Sequence, residues 1–248
     1  MTFEDYGEGI GSAATVLRAN ATATGLEAPV PTCPGWTVGD LVLHQAIVHR
    51  WTTDTLLGVP DRRREHETAG RAAHDLLTWA DDAATAMLDA LSKAEQDLDV
   101  YFFLRNAPRP REAWARRQCH ETTIHAVDAM TVRLGRPPRS RETWFGATLA
   151  ADGIDELIRG MVEGHKTALR SPVPMRLAVV ADDTGDAWTL EVTDGPALTS
   201  RGVADLDGVD ATLSGQAVGL YLALWNRGDE VRCDGADVLP LWRSTVAI

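Results

Sequence analysis

The sequence predicts an α plus α+β chain, with a helical bundle over residues 1–170 followed by a small α+β domain over residues 171–248. Three observations carry this. Apolar residues recur at helical spacing through most of the first 170 positions. At Ser171-Pro172-Val173-Pro174 the character changes. Beyond that break, residues 175–180 and 187–192 read as strands, and Asp182-Asp183-Thr184-Gly185-Asp186 between them is a hairpin signal.

Residues 6–25 form the first expected helix, with Ile10, Ala13, Ala14, Leu17 and Ala21 as its apolar stripe and Gly25 as its stop. A proline-rich loop from Ala28 to Gly35 follows. Thr37 then suits an N-cap, with Asp40 placed to reach back to it as in a capping box. The second helix, 38–57, has an expected inward stripe of Leu41, His44, Val48 and Trp51. That stripe turns His44 inward and leaves His49 about 140° away. A single third helix is expected over 65–94, then an irregular stretch anchored by Tyr101-Phe102-Phe103-Leu104. Pro110 opens a fourth helix that ends near Gly135, and a fifth covers 141–166. In the second domain the pattern gives a strand near 211–213, Ser214 as cap of a helix over 215–227, a strand at 231–233 and a terminal helix over 238–245.

Composition narrows the function. The formal net charge is −12, with 19 Lys and Arg against 24 Asp and Glu in residues 1–170, and 5 against 12 beyond them. Neither part carries the basic face that nucleic acid requires. Cys33, Cys119 and Cys233 are odd in number and lack CxxC spacing, so no disulfide framework is expected, and a reducing cytoplasmic setting fits. No basic segment precedes an apolar run at the start, and no run approaches the ~20 residues of a membrane span.

The chemistry-bearing stretch is Gln118-Cys119-His120-Glu121-Thr122-Thr123-Ile124-His125-Ala126-Val127-Asp128. At about 100° per residue, Glu121 and His125 share a helical face and Asp128 lies one turn further on. Facing helices of a bundle can bring such side chains together in the core. With His44 they make a three-ligand set of two imidazoles and a carboxylate, which suits a metal site with an open position. Asp128 would orient a ligand histidine from behind. The plainer account is an ion-paired polar face beside a hydrogen-bonded core histidine. Cys119, two residues before Glu121, falls roughly 160° around the helix and reads as a buried thiol. Cys33, Trp36 and Trp51 read as packing residues. Phosphate-binding glycine loops, the G-x-S-x-G elbow and the dinucleotide fingerprint are missing from the sequence.

The run Cys33-Pro34-Gly35-Trp36-Thr37-Val38-x-Asp40-Leu41-Val42-x-His44, with Val48-His49-Arg50-Trp51, resembles the opening of mycothiol-dependent maleylpyruvate isomerase-like proteins of the DinB/YfiT-like superfamily. The resemblance continues at His120-Glu121-x-x-x-His125-x-x-Asp128-Ala129, at Ala151-Asp152-Gly153-Ile154-Asp155-Glu156, at Asp210–Gly215 and at Leu222–Arg227. It implies a DinB-like four-helix bundle and a C-terminal domain resembling sterol carrier proteins. It further implies a divalent metal, usually zinc, on His44, Glu121 and His125, and mycothiol as thiol cosubstrate. An arginine of the C-terminal domain assists the isomerase chemistry; Arg227 is the position to which that role is carried, with Arg232 and Arg243 as alternatives. The expected activity is addition of the thiol to a small electrophile, giving cis–trans isomerisation or S-transfer by a monomer or homodimer. A non-catalytic metal- or ligand-binding protein is the competing reading.

Overall fold

The computed structural model describes residues 1–163, 166–202 and 206–246. Its architecture is the α plus α+β arrangement expected, in two compact units: Met1–Phe103 with Pro108–Pro138, and Leu104–Ala107 with Arg139–Ile248. The division therefore falls near residue 138, not 170. Residues 147–162 leave the bundle because 147–155 pack with the second unit's own helix 217–224 and 156–162 with its strand 198–202.

In the first unit, α1 (Phe3–Thr24) lies along α5 (Pro110–Leu134), and α2 (Val38–Leu56) along α4 (Leu76–Lys93). α2 also meets α5, and α1 meets α4, so the four helices close on one another. α1 begins with a capping box, Thr2 Oγ1 accepting from Asp5 N at 3.2 Å while Thr2 N donates to Asp5 Oδ2 at 2.6 Å. The expected box at α2 is present as well: Asp40 N donates to Thr37 Oγ1 and Thr37 N to Asp40 Oδ2. α5 starts at Pro110 and stops at Gly135, whose φ of 67° is left-handed backbone that glycine adopts without a Cβ penalty. Trp51, Phe102, Phe103 and Trp114 form one aromatic cluster, with Trp51 and Trp114 edge-to-face at 5.0 Å.

The single helix expected over 65–94 is two, α3 (Arg63–Arg71) and α4. Asp75 breaks it: its Oδ1 accepts from the backbone N of Leu77 and Thr78, which starts a new helix. A continuous apolar stripe does not register such a cap.

In the second unit, five strands order as β3-β2-β1-β4-β5. β1 (Met175–Ala181) pairs antiparallel with β2 (Ala187–Val192) and parallel with β4 (Ala211–Gly215). β3 (Leu198–Gly202) and β5 (Arg232–Gly235) are the edges, both antiparallel to their neighbours. The expected hairpin turn at 182–186 connects β1 to β2. Four expectations need correction. β3 was not foreseen, because an exposed edge strand has no apolar alternation to reveal it. Ser214 is the fourth residue of β4 rather than a cap, and α7 (Ala217–Leu224) begins after Gln216, with Ala217 N donating to Asp183 Oδ1. Trp225, at the C-terminal end of α7, already leaves the helix, so the expected end at 227 is three residues late. The fifth helix expected over 141–166 is a 3₁₀ turn at Ser140–Glu142, then α6 (Ala147–Asp155), continuing as a π-helical stretch to Val162. Residues 164–165 of that expectation lie outside the described set. α8 (Leu239–Thr245) closes the unit, with Trp242 Nε1 donating to Leu224 O.

A candidate metal centre in the helical unit

α5 is buried along nearly its whole length from Ala113 to Thr131, so its polar residues need partners. Glu121 and His125 stand one turn apart on it, as the spacing requires, and His125 Nε2 lies 3.4 Å from Glu121 Oε1. From α2, His44 Nε2 reaches the same oxygen, also at 3.4 Å. The two imidazoles meet edge to face, with ring centroids 5.0 Å apart. One ligand atom from each of the three residues lies within 4.8 Å of the others. Ligands held about 2.0–2.1 Å from a tetrahedral ion stand about 3.3–3.4 Å from one another, so both measured edges fit a zinc-sized cation. Two imidazoles and a carboxylate are also a donor set that zinc accepts.

Asp128 lies behind His125, where Nδ1–H donates to its Oδ2 at 3.0 Å. That bond fixes the proton on Nδ1 and leaves Nε2 facing the centre. Exposure falls from the rim inward: the His44 side chain is 36% exposed, Glu121 22%, His125 12% and Asp128 0%. The His44 side of the group is therefore accessible to solvent.

Electrostatics follow from these contacts. Burial raises the Glu121 pKa, but the Arg117 guanidinium and hydrogen bonds from His125 and His44 outweigh it, holding the carboxyl well below its usual range. Burial pushes His125 down, yet hydrogen bonds with Asp128, Cys33 and Glu121 carry its pKa well above 6.5. Without a cation, the ring is an imidazolium between two carboxylates. A cation at Nε2 takes the place of one proton.

The structure brings the expected His44, Glu121, His125 and Asp128 together, but it reverses the expectation about α2. His49 is the buried histidine, 2% exposed, and His44 is half-buried. The buried face of α2 runs through Leu41, Val42, Gln45, Ala46, His49 and Thr52, whereas Val48 and Trp51 are only partly covered. His49 Nε2 is 2.8 Å from Gln45 Nε2 and 2.9 Å from Thr122 Oγ1, a polar knot between α2 and α5.

Three neighbours of the centre were read otherwise or missed. Cys33 is not simple packing: its Sγ–H donates to Asp128 Oδ2 at 3.4 Å, and with His125 and Asp128 it forms a second group of close donor atoms. Trp36 is not simple packing either. Its ring lies 4.9 Å from that of His44 and 6.2 Å from that of His125, forming a wall against both imidazoles. Arg117 Nη2 donates to Glu121 Oε2 at 2.9 Å, and the i, i+4 spacing on α5 was the signal that could have found it. Cys119 is fully buried and belongs to neither donor group. Arg227 is a residue of the second unit, 6% exposed, and its Nη1 donates to Trp225 O at 2.8 Å.

Residues 10–130 match the family described as "Mycothiol maleylpyruvate isomerase N-terminal domain". Among solved structures, the crystal structure of the mycothiol-dependent maleylpyruvate isomerase aligns at a TM-score of 0.64 and 14% identity, over 94% of this chain and 93% of that one. A histidine-to-alanine mutant of the same enzyme aligns at a TM-score of 0.63 and 13% identity, with the same coverage. At such identity the likeness is one of fold. No curated protein matches the sequence.

Proposed function

The helical unit belongs to the mycothiol maleylpyruvate isomerase N-terminal domain family, and from that premise we propose that the chain is a metal-dependent enzyme using mycothiol, a low-molecular-weight thiol, on a small electrophile. The observation that carries this reading is the convergence of His44 Nε2 and His125 Nε2 on one oxygen of Glu121, each at 3.4 Å, with solvent access on the His44 side.

His44, Glu121 and His125 would hold the cation. When bound, a divalent ion such as zinc supplies the acidity that turns a thiol into a thiolate at neutral pH. The protein's own groups do the rest. Asp128 holds the Nδ1 proton of His125, so the ring presents Nε2 in one tautomer. Trp36 covers one side of both imidazoles, restricting the direction from which a substrate approaches. Arg227 is proposed, on the resemblance alone, as the arginine that engages a substrate carboxylate or developing enolate. The thiolate adds to one carbon of an activated double bond. The electron pair of that bond moves onto the activating carbonyl as an enolate. Rotation about the resulting single bond, return of the pair and expulsion of the thiolate gives the trans isomer, whereas protonation of the enolate carbon leaves a thioether adduct, which amounts to S-transfer.

The direct test is a panel of activated cis-alkenes and other electrophiles, each followed with protein plus mycothiol, with mycothiol alone and with protein alone. The proposal expects at least one to be consumed faster with protein plus thiol than the two controls together. A panel in which none is accelerated favours the non-catalytic binder.

A further inference from the structure

Arg117 is an unusual residue to find inside a helical bundle. Its side chain is 3% exposed, and a guanidinium stays charged, so it needs a charged partner at hand. One turn along α5 it meets Glu121, with Nη2 donating to Oε2 at 2.9 Å. The other oxygen, Oε1, faces His44 and His125. The two carboxylate oxygens thus have separate partners, a cation of the protein on one and the candidate centre on the other.

We propose that Arg117 is a positioning residue for the metal centre: it reserves Oε2 of Glu121 so that the carboxylate offers Oε1 alone. This rests on the metal-centre reading given above. A carboxylate with both oxygens free can bind one cation through both, which would use up a coordination position that a thiol must occupy. Placing Arg117 four residues before Glu121 lets the helix itself set the spacing of the pair. The charge-assisted hydrogen bond from Nη2 then holds Oε2 on the side away from the two imidazoles.

The test loads wild-type protein, Arg117→Gln and Arg117→Lys with zinc or cobalt(II). It measures affinity by competition with a chelator, and coordination number by the visible cobalt bands. Melting curves of the metal-free proteins report the fold. The expectation is that Arg117→Gln binds about 10- to 100-fold more weakly, the usual cost of losing a group that orients a ligand. Its cobalt bands should weaken toward those of a higher-coordinate ion, whereas Arg117→Lys, which keeps a charged donor, should retain the wild-type spectrum. Wild-type affinity and spectrum in Arg117→Gln would overturn the inference, as would equal losses in both variants that track only their melting temperatures. Should Arg117→Gln not fold, infrared difference spectra of wild-type protein with and without zinc still decide. A carboxylate splitting typical of one-oxygen binding supports the inference, and a two-oxygen signature ends it. Wild-type protein that takes up no metal would instead overturn the metal-centre reading itself.

Discussion

His44 and His49 stand five residues apart on α2 and meet opposite surroundings. His49 is sealed between Gln45 and Thr122, and burial, with nearby His125 and His44, drives its pKa down to about 3 against the opposing pull of Glu121. The sign of the consequence is fixed. Between pH 6.5 and about 3 the unfolded chain binds a proton at this residue that the folded one refuses, so stability falls as pH falls through that window. By pH 5 the loss from this residue is about 2 kcal/mol. Urea unfolding at pH 7.5 and pH 5 should show that excess loss in wild-type protein relative to His49→Gln; equal losses would contradict the burial of a neutral ring. At this scale the sequence was informative about Glu121, His125 and Asp128, because helical spacing alone puts them on one face. It misled about which histidine of α2 is buried, because apolar residues flank both and Gln45, Ala46 and Thr52 complete a buried face that hydrophobicity does not mark. It misread Cys33 and Trp36 as packing residues, because their approach to the centre depends on the loop before α2.

The elements were legible where a local chemical signal exists. Thr37 with Asp40, Pro110 and Gly135 mark helix ends through hydrogen bonds or backbone conformation, and each stands where expected. The division of α3 from α4 was missed because Asp75 caps a helix inside a run that otherwise reads as continuous. Packing reinforces that break. Gly70, near the end of α3, is buried so closely that a Cβ there would collide with Leu43 Cδ1 of α2 and stand 2.9 Å from the Trp79 ring of α4. Gly70→Ala should therefore destabilise the protein by about 1–3 kcal/mol, the usual cost of overpacking. This exceeds and opposes the gain of up to ~1 kcal/mol that alanine brings to a helix. Denaturant midpoints of the two proteins check this, and a stabilised variant would show that α3 does not press on α2 and α4 as described.

For the whole molecule, no helix among the described residues is long and apolar enough to cross a membrane. The order of helical unit then α+β unit was visible in the change from helical spacing to alternation. Its boundary was not, because residues 147–162 have the spacing of bundle helices and only their packing, against α7 over 147–155 and against β3 over 156–162, assigns them to the second unit. The proposed chemistry depends on the His44, Glu121 and His125 centre in the first unit. Its most direct test is the metal content of protein purified without added zinc, and its uptake of zinc from buffer, compared between wild type and His125→Ala. About one equivalent in wild type and little in the variant is the predicted result; near-equal metal in the two would show that His44, Glu121 and His125 do not form the site.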